Sequence, residues 1–111
     1  MQIQQLDDGV FVAAQISAAD LAIVAKNGIR TVVNNRPDGE VAGQPASDDL
    51  ANAAANLGLE YVYFPVLSNG ITPDNVQGFA AMRDDLEGPV LLFCRSGARS
   101  AKLWQLSFTV S

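Results

Sequence analysis

The strongest constraint on the fold is an unbroken apolar run, Pro-Val-Leu-Leu-Phe, at residues 89–93. A strand with one face in water alternates apolar and polar side chains, so an unbroken run predicts a strand buried on both faces of a parallel sheet. Shorter apolar or β-branched runs at residues 10–13, 29–33 and 61–66 predict three further strands. Parallel strands need long crossover connections, and the segments between these runs are long enough to supply them.

Helix signals occupy those connecting segments. We predict helices over residues 17–28, 47–58 and 72–88, and a last helix after residue 99. Ser17, with an acid three residues later, resembles a capping box, and a glycine stands at the end of each of the first three segments. Strands that alternate with helices predict a three-layer α/β fold with a mostly parallel sheet flanked by helices. The 111 residues have room for one such domain, which we expect to span residues 1–111.

Charge and composition exclude several classes of function. The chain has 7 basic and 12 acidic residues, a net charge of −5, no histidine and one cysteine. An acidic protein lacks the basic face that nucleic acids and anionic membranes require. Without histidine there is no Ser-His-Asp triad, Cys-His pair or His-ligated zinc site, and we expect neither a metal nor a cofactor. Residues 1–8 lack the features of a signal peptide and the lone cysteine suits a reducing compartment, so we expect a cytoplasmic protein.

The segment best suited to chemistry is Cys-Arg-Ser-Gly-Ala-Arg-Ser at residues 94–100, between the buried strand and the last helix. Gly97 lets the backbone turn so that N–H groups point inward as an anion-binding nest, and the helix N-terminus adds its dipole. In such a cradle the pKa of Cys94 would be lowered, because the nest, Arg95 and Arg99 favour the thiolate. We expect Cys94 to be a nucleophile and Arg99 to hold an oxyanion through paired N–H donors. The alternative is an inert Cys94 that ends a core strand beside two solvated arginines.

Other residues of two loops complete the predicted site. In the cysteine loop, Arg95, Ser96, Gly97, Ala98 and Ser100 are the candidate anion-binding residues. The loop at residues 34–40 follows another predicted strand, so it should lie at the same edge of the sheet. There Arg36 is a candidate second anion contact, with a surface charge as the alternative. Asp38 is a candidate general acid, with a turn-forming Pro-Asp-Gly as the alternative.

Residues 94–100 resemble the active loop of the cysteine-based phosphatases and of the rhodaneses. The chain from about residue 8 to residue 106 resembles the phosphatase-like domain of the beta-lactamase-hydrolase-like family. The matching stretches are Asn-Asn-Arg-Pro-Asp-Gly-Glu at 34–40, Gly-Gln-Pro at 43–45, Gly-Leu-Glu-Tyr at 58–61, Phe-Pro-Val at 64–66, Gly-Ile-Thr at 70–72 and Leu-Trp at 103–104. The resemblance implies a cysteine-phosphatase-like fold, with a rhodanese-like fold as the alternative, and a Cys94 thiolate that attacks the substrate.

Two departures from the phosphatase pattern stand out. The tyrosine and dual-specificity phosphatases place their arginine six residues after the cysteine, where this chain has Ser100. Arg99 comes five residues after it, which is the rhodanese spacing. Phosphatases also use an aspartic acid on a separate loop, and that place falls near Ser68, which is not an acid. Asp38 is a better candidate for this general acid than Asp74, because we expect Asp74 to stabilise the N-terminus of a helix instead.

These features predict a cysteine-dependent phosphatase-like hydrolase that acts on a small anionic substrate, a phosphate ester. One alternative is a rhodanese-type sulfurtransferase in which Cys94 takes a persulfide from a sulfane sulfur donor. Another is a catalytically silent module that only binds anions. The sequence does not predict an oligomeric state.

Overall fold

A five-stranded sheet forms the centre of the protein, whose structure is a computed structural model that describes residues 1–110. The strands are β1 Ile3–Asp7, β2 Val10–Ala13, β3 Thr31–Asn34, β4 Glu60–Tyr63 and β5 Val90–Phe93. Their spatial order is β1-β2-β5-β3-β4, and β2 to β5 are parallel whereas β1 runs antiparallel to β2. The predicted apolar run is therefore the central strand, with β2 and β3 as its neighbours.

Four helices connect and flank the strands. They are α1 Ala18–Lys26, α2 Ser47–Asn56, α3 Pro73–Arg83 and α4 Ala98–Leu106. The capping box at Ser17 is confirmed, since its hydroxyl accepts the Asp20 N–H and Asp20 reaches back. Helix α3 ends at Arg83, five residues before the predicted end at Gly88. Beyond it the backbone continues in turns, with Leu86 N–H donating to the Arg83 carbonyl at 3.3 Å.

The helices pack in pairs on the two faces of the sheet. On one face, Val32 and Phe93 pack with Leu21 of α1 and Leu50 of α2. On the other face, the alternate strand residues Val33 and Leu92 pack with Phe79 of α3 and Leu103 of α4. Each fully buried leucine or phenylalanine contributes about 1.5–3 kcal/mol to folding. This arrangement confirms the predicted three-layer α/β fold and mostly parallel sheet.

Strand β1 is absent from the sequence-based prediction. Its five side chains are exposed apart from one that is half-buried, so it shows no apolar alternation. It forms as an edge strand that pairs with β2 in the register Ile3 to Ala13. The sequence-based prediction missed this strand because the pattern of side chains does not report backbone pairing.

The sheet brings two loops to one edge. Parallel pairing sets Asn34, at the end of β3, beside Phe93, at the end of β5. The next residue, Asn35, donates its N–H to the Phe93 carbonyl at 2.9 Å. Residues 35–40 and 94–99 therefore start side by side, as expected at the carboxyl edge of parallel strands. Among residues 1–110, no helix has the length and apolar character needed to cross a membrane.

Candidate active site

Cys94 lies directly after β5 and is 1% exposed. The Gly97 N–H donates to Cys94 Sγ at 3.1 Å, so the loop curls back over the sulfur. Gly97 has φ 95°, in the left-handed region, and a Cβ there would lie 3.4 Å from the Ala13 carbonyl carbon and oxygen. A Cβ at that distance would be in ordinary van der Waals contact, so it is the backbone conformation that favours glycine. The chain thus places a buried thiol at the base of a turn that opens α4.

Arg99, in the first turn of α4, is held by two other segments. Its Nη1 donates to Glu40 Oε2 at 2.9 Å and to the Val66 carbonyl at 2.8 Å, and its Nη2 donates to Glu40 Oε1 at 3.2 Å. A guanidinium carries five N–H donors. Within residues 1–110 the Nε–H and one Nη2–H have no hydrogen-bond partner. These two donors share one edge of the guanidinium and suit two oxygens of a tetrahedral anion.

Glu40 links Arg99 to Arg36. Arg36 Nε donates to Glu40 Oε1 at 2.9 Å, and its Nη1 donates to Gln15 Oε1 at 3.1 Å. Hydrogen bonding from Arg99 lowers the pKa of Glu40, burial opposes the shift, and Arg36 adds to it. Arg36 is 4% exposed, which excludes the interpretation as a surface charge. Its position instead points to an indirect role, in which it holds the carboxylate that holds Arg99.

Glu40 is the site residue that the sequence analysis missed. It appears there only as the last letter of the Asn-Asn-Arg-Pro-Asp-Gly-Glu stretch. The available signal was its position four residues after Arg36, a spacing compatible with an ion pair. Its second partner, Arg99, lies 59 positions further along the chain. A pairing over that distance has no local signature.

Ser100 lies away from the open side of the loop. Its hydroxyl donates to Asn35 Oδ1 at 2.8 Å, and Asn35 Nδ2 donates to the Phe64 carbonyl at 2.9 Å. Ser100 and Asn35 are both 0% exposed. This hydroxyl would have to break a buried hydrogen bond to contact an anion. The contact instead fixes the start of α4 against the loop that follows β3.

Asp38 caps a helix from a distance. Its Oδ1 accepts the Ser47 N–H at 2.8 Å, at the start of α2, where Ala46 has no side chain to serve as cap. The Asp38 N–H in turn donates to the Tyr63 hydroxyl at 2.9 Å. These bonds orient the turn and leave Asp38 exposed at the cleft described below. Asp74 lies in the first turn of α3, in keeping with the expected dipole role.

The other predicted loop residues lie nearer the surface. Arg95, Ser96 and Ala98 are exposed, and Ser96 Oγ accepts the Ala98 N–H at 3.3 Å. The Arg95 carbonyl accepts the Gln15 N–H at 3.2 Å, which ties the loop to the end of β2. In the part of the chain that the structure describes, no group of three or more Cys, Asp or Glu residues could hold a metal ion.

Two clefts flank the site. One, of about 340 Å³, is lined by Ser96 and Arg99, and the other, of about 330 Å³, by Asp38 and Glu40. Both also touch Leu67 and Ser68, so this segment forms the ridge between them. A larger cleft of about 670 Å³ lies between β1 and α4. No charged side chain among residues 1–110 lines that larger cleft, which makes it the less suitable place for an anion.

Substituting Glu40 should destabilise the protein in a pH-dependent way. We expect Glu40→Gln to lower the free energy of unfolding at pH 7 by about 2 kcal/mol, because two largely buried guanidinium groups lose their counter-ion. The folded pKa of Glu40 is below its ordinary 4.5, so its stabilisation is present above pH 4.5 and is lost as pH falls through the folded pKa. Urea unfolding at pH 7 and pH 3 should show the difference between wild type and variant shrinking at pH 3.

Glu87→Gln is the matched control for that experiment. Glu87 pairs with Arg30 at 3.2 Å, but both side chains are 61% exposed. Exposed pairs contribute little, so we expect a loss below about 1 kcal/mol. Equal losses in the two variants, or a Glu40→Gln loss that does not change with pH, would contradict the buried network.

Comparison with known proteins gives the relatives of the chain. A family model described as "Beta-lactamase hydrolase-like protein, phosphatase-like domain" matches residues 2–111. A beta-lactamase hydrolase-like protein from Xylella fastidiosa is 35% identical over 107 residues, which cover 96% of this chain and 25% of that protein. The chain therefore spans about a quarter of the length of the curated relatives that it matches.

Solved structures agree on the fold. A candidate phosphatase from Neisseria meningitidis superposes with a TM-score of 0.85 at 32% identity, covering 94% of this chain and 74% of that one. A kinase associated phosphatase, solved with its catalytic site cysteine replaced by serine, gives a TM-score of 0.71 at 13% identity over 98% of this chain and 75% of that one. The second likeness bears on the fold alone. Together they confirm the cysteine-phosphatase-like fold that the sequence predicted.

Proposed function

Since this chain belongs to the family of phosphatase-like domains of beta-lactamase hydrolase-like proteins, we propose that it is a cysteine-dependent phosphatase acting on small phosphate monoesters. The Cys94 thiolate attacks phosphorus, so that an S–P bond forms while the P–O bond to the leaving group breaks. The leaving oxygen takes up a proton. Water then attacks phosphorus, loses a proton, breaks the S–P bond and releases inorganic phosphate, which restores the thiolate.

The observation that carries the proposal is the edge of the Arg99 guanidinium, five positions after Cys94, whose Nε–H and one Nη2–H have no hydrogen-bond partner within residues 1–110. Glu40 and the Val66 carbonyl occupy three of the guanidinium N–H groups and hold it in place. The remaining Nε–H and Nη2–H would bind two oxygens of the transferring phosphoryl group. Donors fixed before the reaction stabilise charge that develops in the transition state without reorganising. Backbone N–H groups of residues 95 and 96 would add to the cradle, because those of Gly97 and Ala98 already donate to Cys94 Sγ and Ser96 Oγ.

Asp38 is the residue that we propose as the acid for the leaving oxygen. Its carboxylate lines the 330 Å³ cleft on the far side of the Leu67 ridge. One of its oxygens accepts the Ser47 N–H, which leaves Oδ2 for the proton. Glu40 is less suitable, because its lowered pKa and its two arginine partners disfavour the protonated form.

A sulfurtransferase is the second candidate function, because of the spacing between the cysteine and the arginine of the loop. Arg99 follows Cys94 by five residues, as in the rhodaneses. A sulfur-transfer cycle through a Cys94 persulfide also requires no general acid. In that case the loop would hold thiosulfate or another sulfane sulfur donor instead of a phosphate ester.

Intact-mass spectrometry separates the candidates. Wild type and Cys94→Ser would each be incubated with phenyl phosphate and, separately, with thiosulfate. We expect phenol release and a transient phospho-adduct with wild type only. A sulfur adduct that requires Cys94, without phenol release, would replace the phosphatase with the sulfurtransferase. If neither adduct nor phenol forms while inorganic phosphate still binds, the chain is a silent anion-binding module.

A further inference from the structure

The 340 Å³ cleft beside the cysteine loop carries a second cation that the reaction above does not use. Lys102 lines this cleft together with Arg99 and Ser96. Arg99 and Lys102 are three positions apart in α4, so they lie on the same face of the helix, one turn apart. The cleft therefore extends from the proposed phosphoryl site to an ammonium group.

Lys102 keeps its charge available. It is exposed, and within residues 1–110 it makes no ion pair. Residues 88–111 contain no acid at all, so its own helix offers no carboxylate partner. No acidic side chain of the described residues lines this cleft either. Arg99, by contrast, is already paired with Glu40.

The neighbouring cleft has the opposite character. Across the ridge of Leu67 and Ser68, the 330 Å³ cleft contains Asp38 and Glu40 and no basic side chain of the described residues. An anionic group attached to a substrate would be repelled on that side and attracted on the side of Lys102. The two clefts that share this ridge therefore differ in charge, one acidic and one basic.

We propose that Lys102 binds a second anionic group of the substrate. This rests on the proposed phosphatase function and narrows its substrate class to phosphate esters that carry a further phosphate or carboxylate group. Lys102 is then a specificity-determining residue and does not take part in the chemical step. An ammonium is a point charge with rotatable donors, so it accepts anions of different shape without the fixed geometry of a guanidinium.

Calorimetric titration of the Cys94→Ser protein tests this without requiring turnover. The probes are inorganic phosphate, methylenebisphosphonate and 1,2-ethylenebisphosphonate. We expect at least one bisphosphonate to bind about fivefold more tightly than phosphate, as one partly solvated charge contact provides. Adding Lys102→Gln should remove this preference and change phosphate affinity by less than about twofold.

Lys26→Gln is the matched control, because Lys26 is the other lysine of the chain and is exposed at the end of α1. It lies on the opposite side of the sheet from α4 and should leave the preference intact. The inference is overturned if the Lys102→Gln and Lys26→Gln proteins prefer the bisphosphonate to phosphate equally, or if the Cys94→Ser parent shows no such preference. If the preference depends on Lys102 but wild type releases no phenol from phenyl phosphate, the subsite stands and the proposed phosphatase function fails.

Discussion

Replacing Cys94 by serine is expected to reduce turnover of phenyl phosphate by roughly a thousandfold or more. A hydroxyl is far less ionised than a thiol at neutral pH, and loss of the nucleophile removes the whole covalent route. The structure makes this variant informative, since Cys94 is 1% exposed and serine differs from it by one atom. The measurement is steady-state phenol release at pH 7, with enzyme at concentrations that detect a residual rate of a thousandth of wild type.

Binding provides the control for that loss. Arg99 is held by Glu40 and the Val66 carbonyl and not by the sulfur, so inorganic phosphate should raise the thermal midpoint of the serine variant and of wild type similarly. If the variant binds phosphate and yet retains more than a tenth of the wild-type rate, Cys94 is not the nucleophile. The activity would then belong to another residue of the chain.

Replacing Arg99 by lysine is expected to lower kcat/KM for phenyl phosphate by about a hundredfold, the usual cost of removing one preorganised donor group. Lysine keeps the positive charge but cannot contact Glu40 with two N–H groups while presenting two more to an anion. Under the proposed function Arg99 has both roles at once, since its Nη1 and Nη2 already hold the Glu40 carboxylate. The kinetics should show a loss in kcat as well as in KM, because the phosphoryl contact strengthens in the transition state.

Arg30→Lys is the matched variant for this experiment. Arg30 is exposed and pairs only with an exposed carboxylate, so its replacement should change kcat/KM by less than about twofold. A circular dichroism spectrum that matches wild type would show that the Arg99→Lys protein still folds. Wild-type activity in the Arg99→Lys protein would argue that charge alone suffices at this position and that the paired contact has no role.

The sequence anticipated the elements whose signals are local. The apolar run at 89–93 became the central strand, and the capping signal at Ser17 starts helix α1 as predicted. The edge strand Ile3–Asp7 shows no such signal, because four of its five side chains are exposed and it is joined to the sheet by backbone pairing with β2. The sequence also placed the end of α3 too far along the chain, at Gly88. A glycine indicates where a helix can stop, but it does not show that the helix extends that far.

The site divides in the same way. Cys94, Gly97 and Arg99 could be selected from sequence because they lie within six consecutive residues whose spacing itself indicates an anion-binding turn. What each polar side chain contacts could not be selected in this way. The sequence predicts Ser100 as an anion-binding residue of the loop, whereas in the structure its hydroxyl donates to Asn35, a residue 65 positions earlier.

The sequence by itself therefore determined the alternation of strands and helices, the position of the cysteine loop and the family of the domain. Only the tertiary structure decided that Glu40 joins Arg36 to Arg99 and that Lys102 lines the cleft beside them. The physical reason is the order of the strands. Parallel pairing places β3 directly beside β5, so the loops that follow these two strands meet. Glu40 and Arg99, which are 59 positions apart in the chain, therefore come within 3 Å of each other.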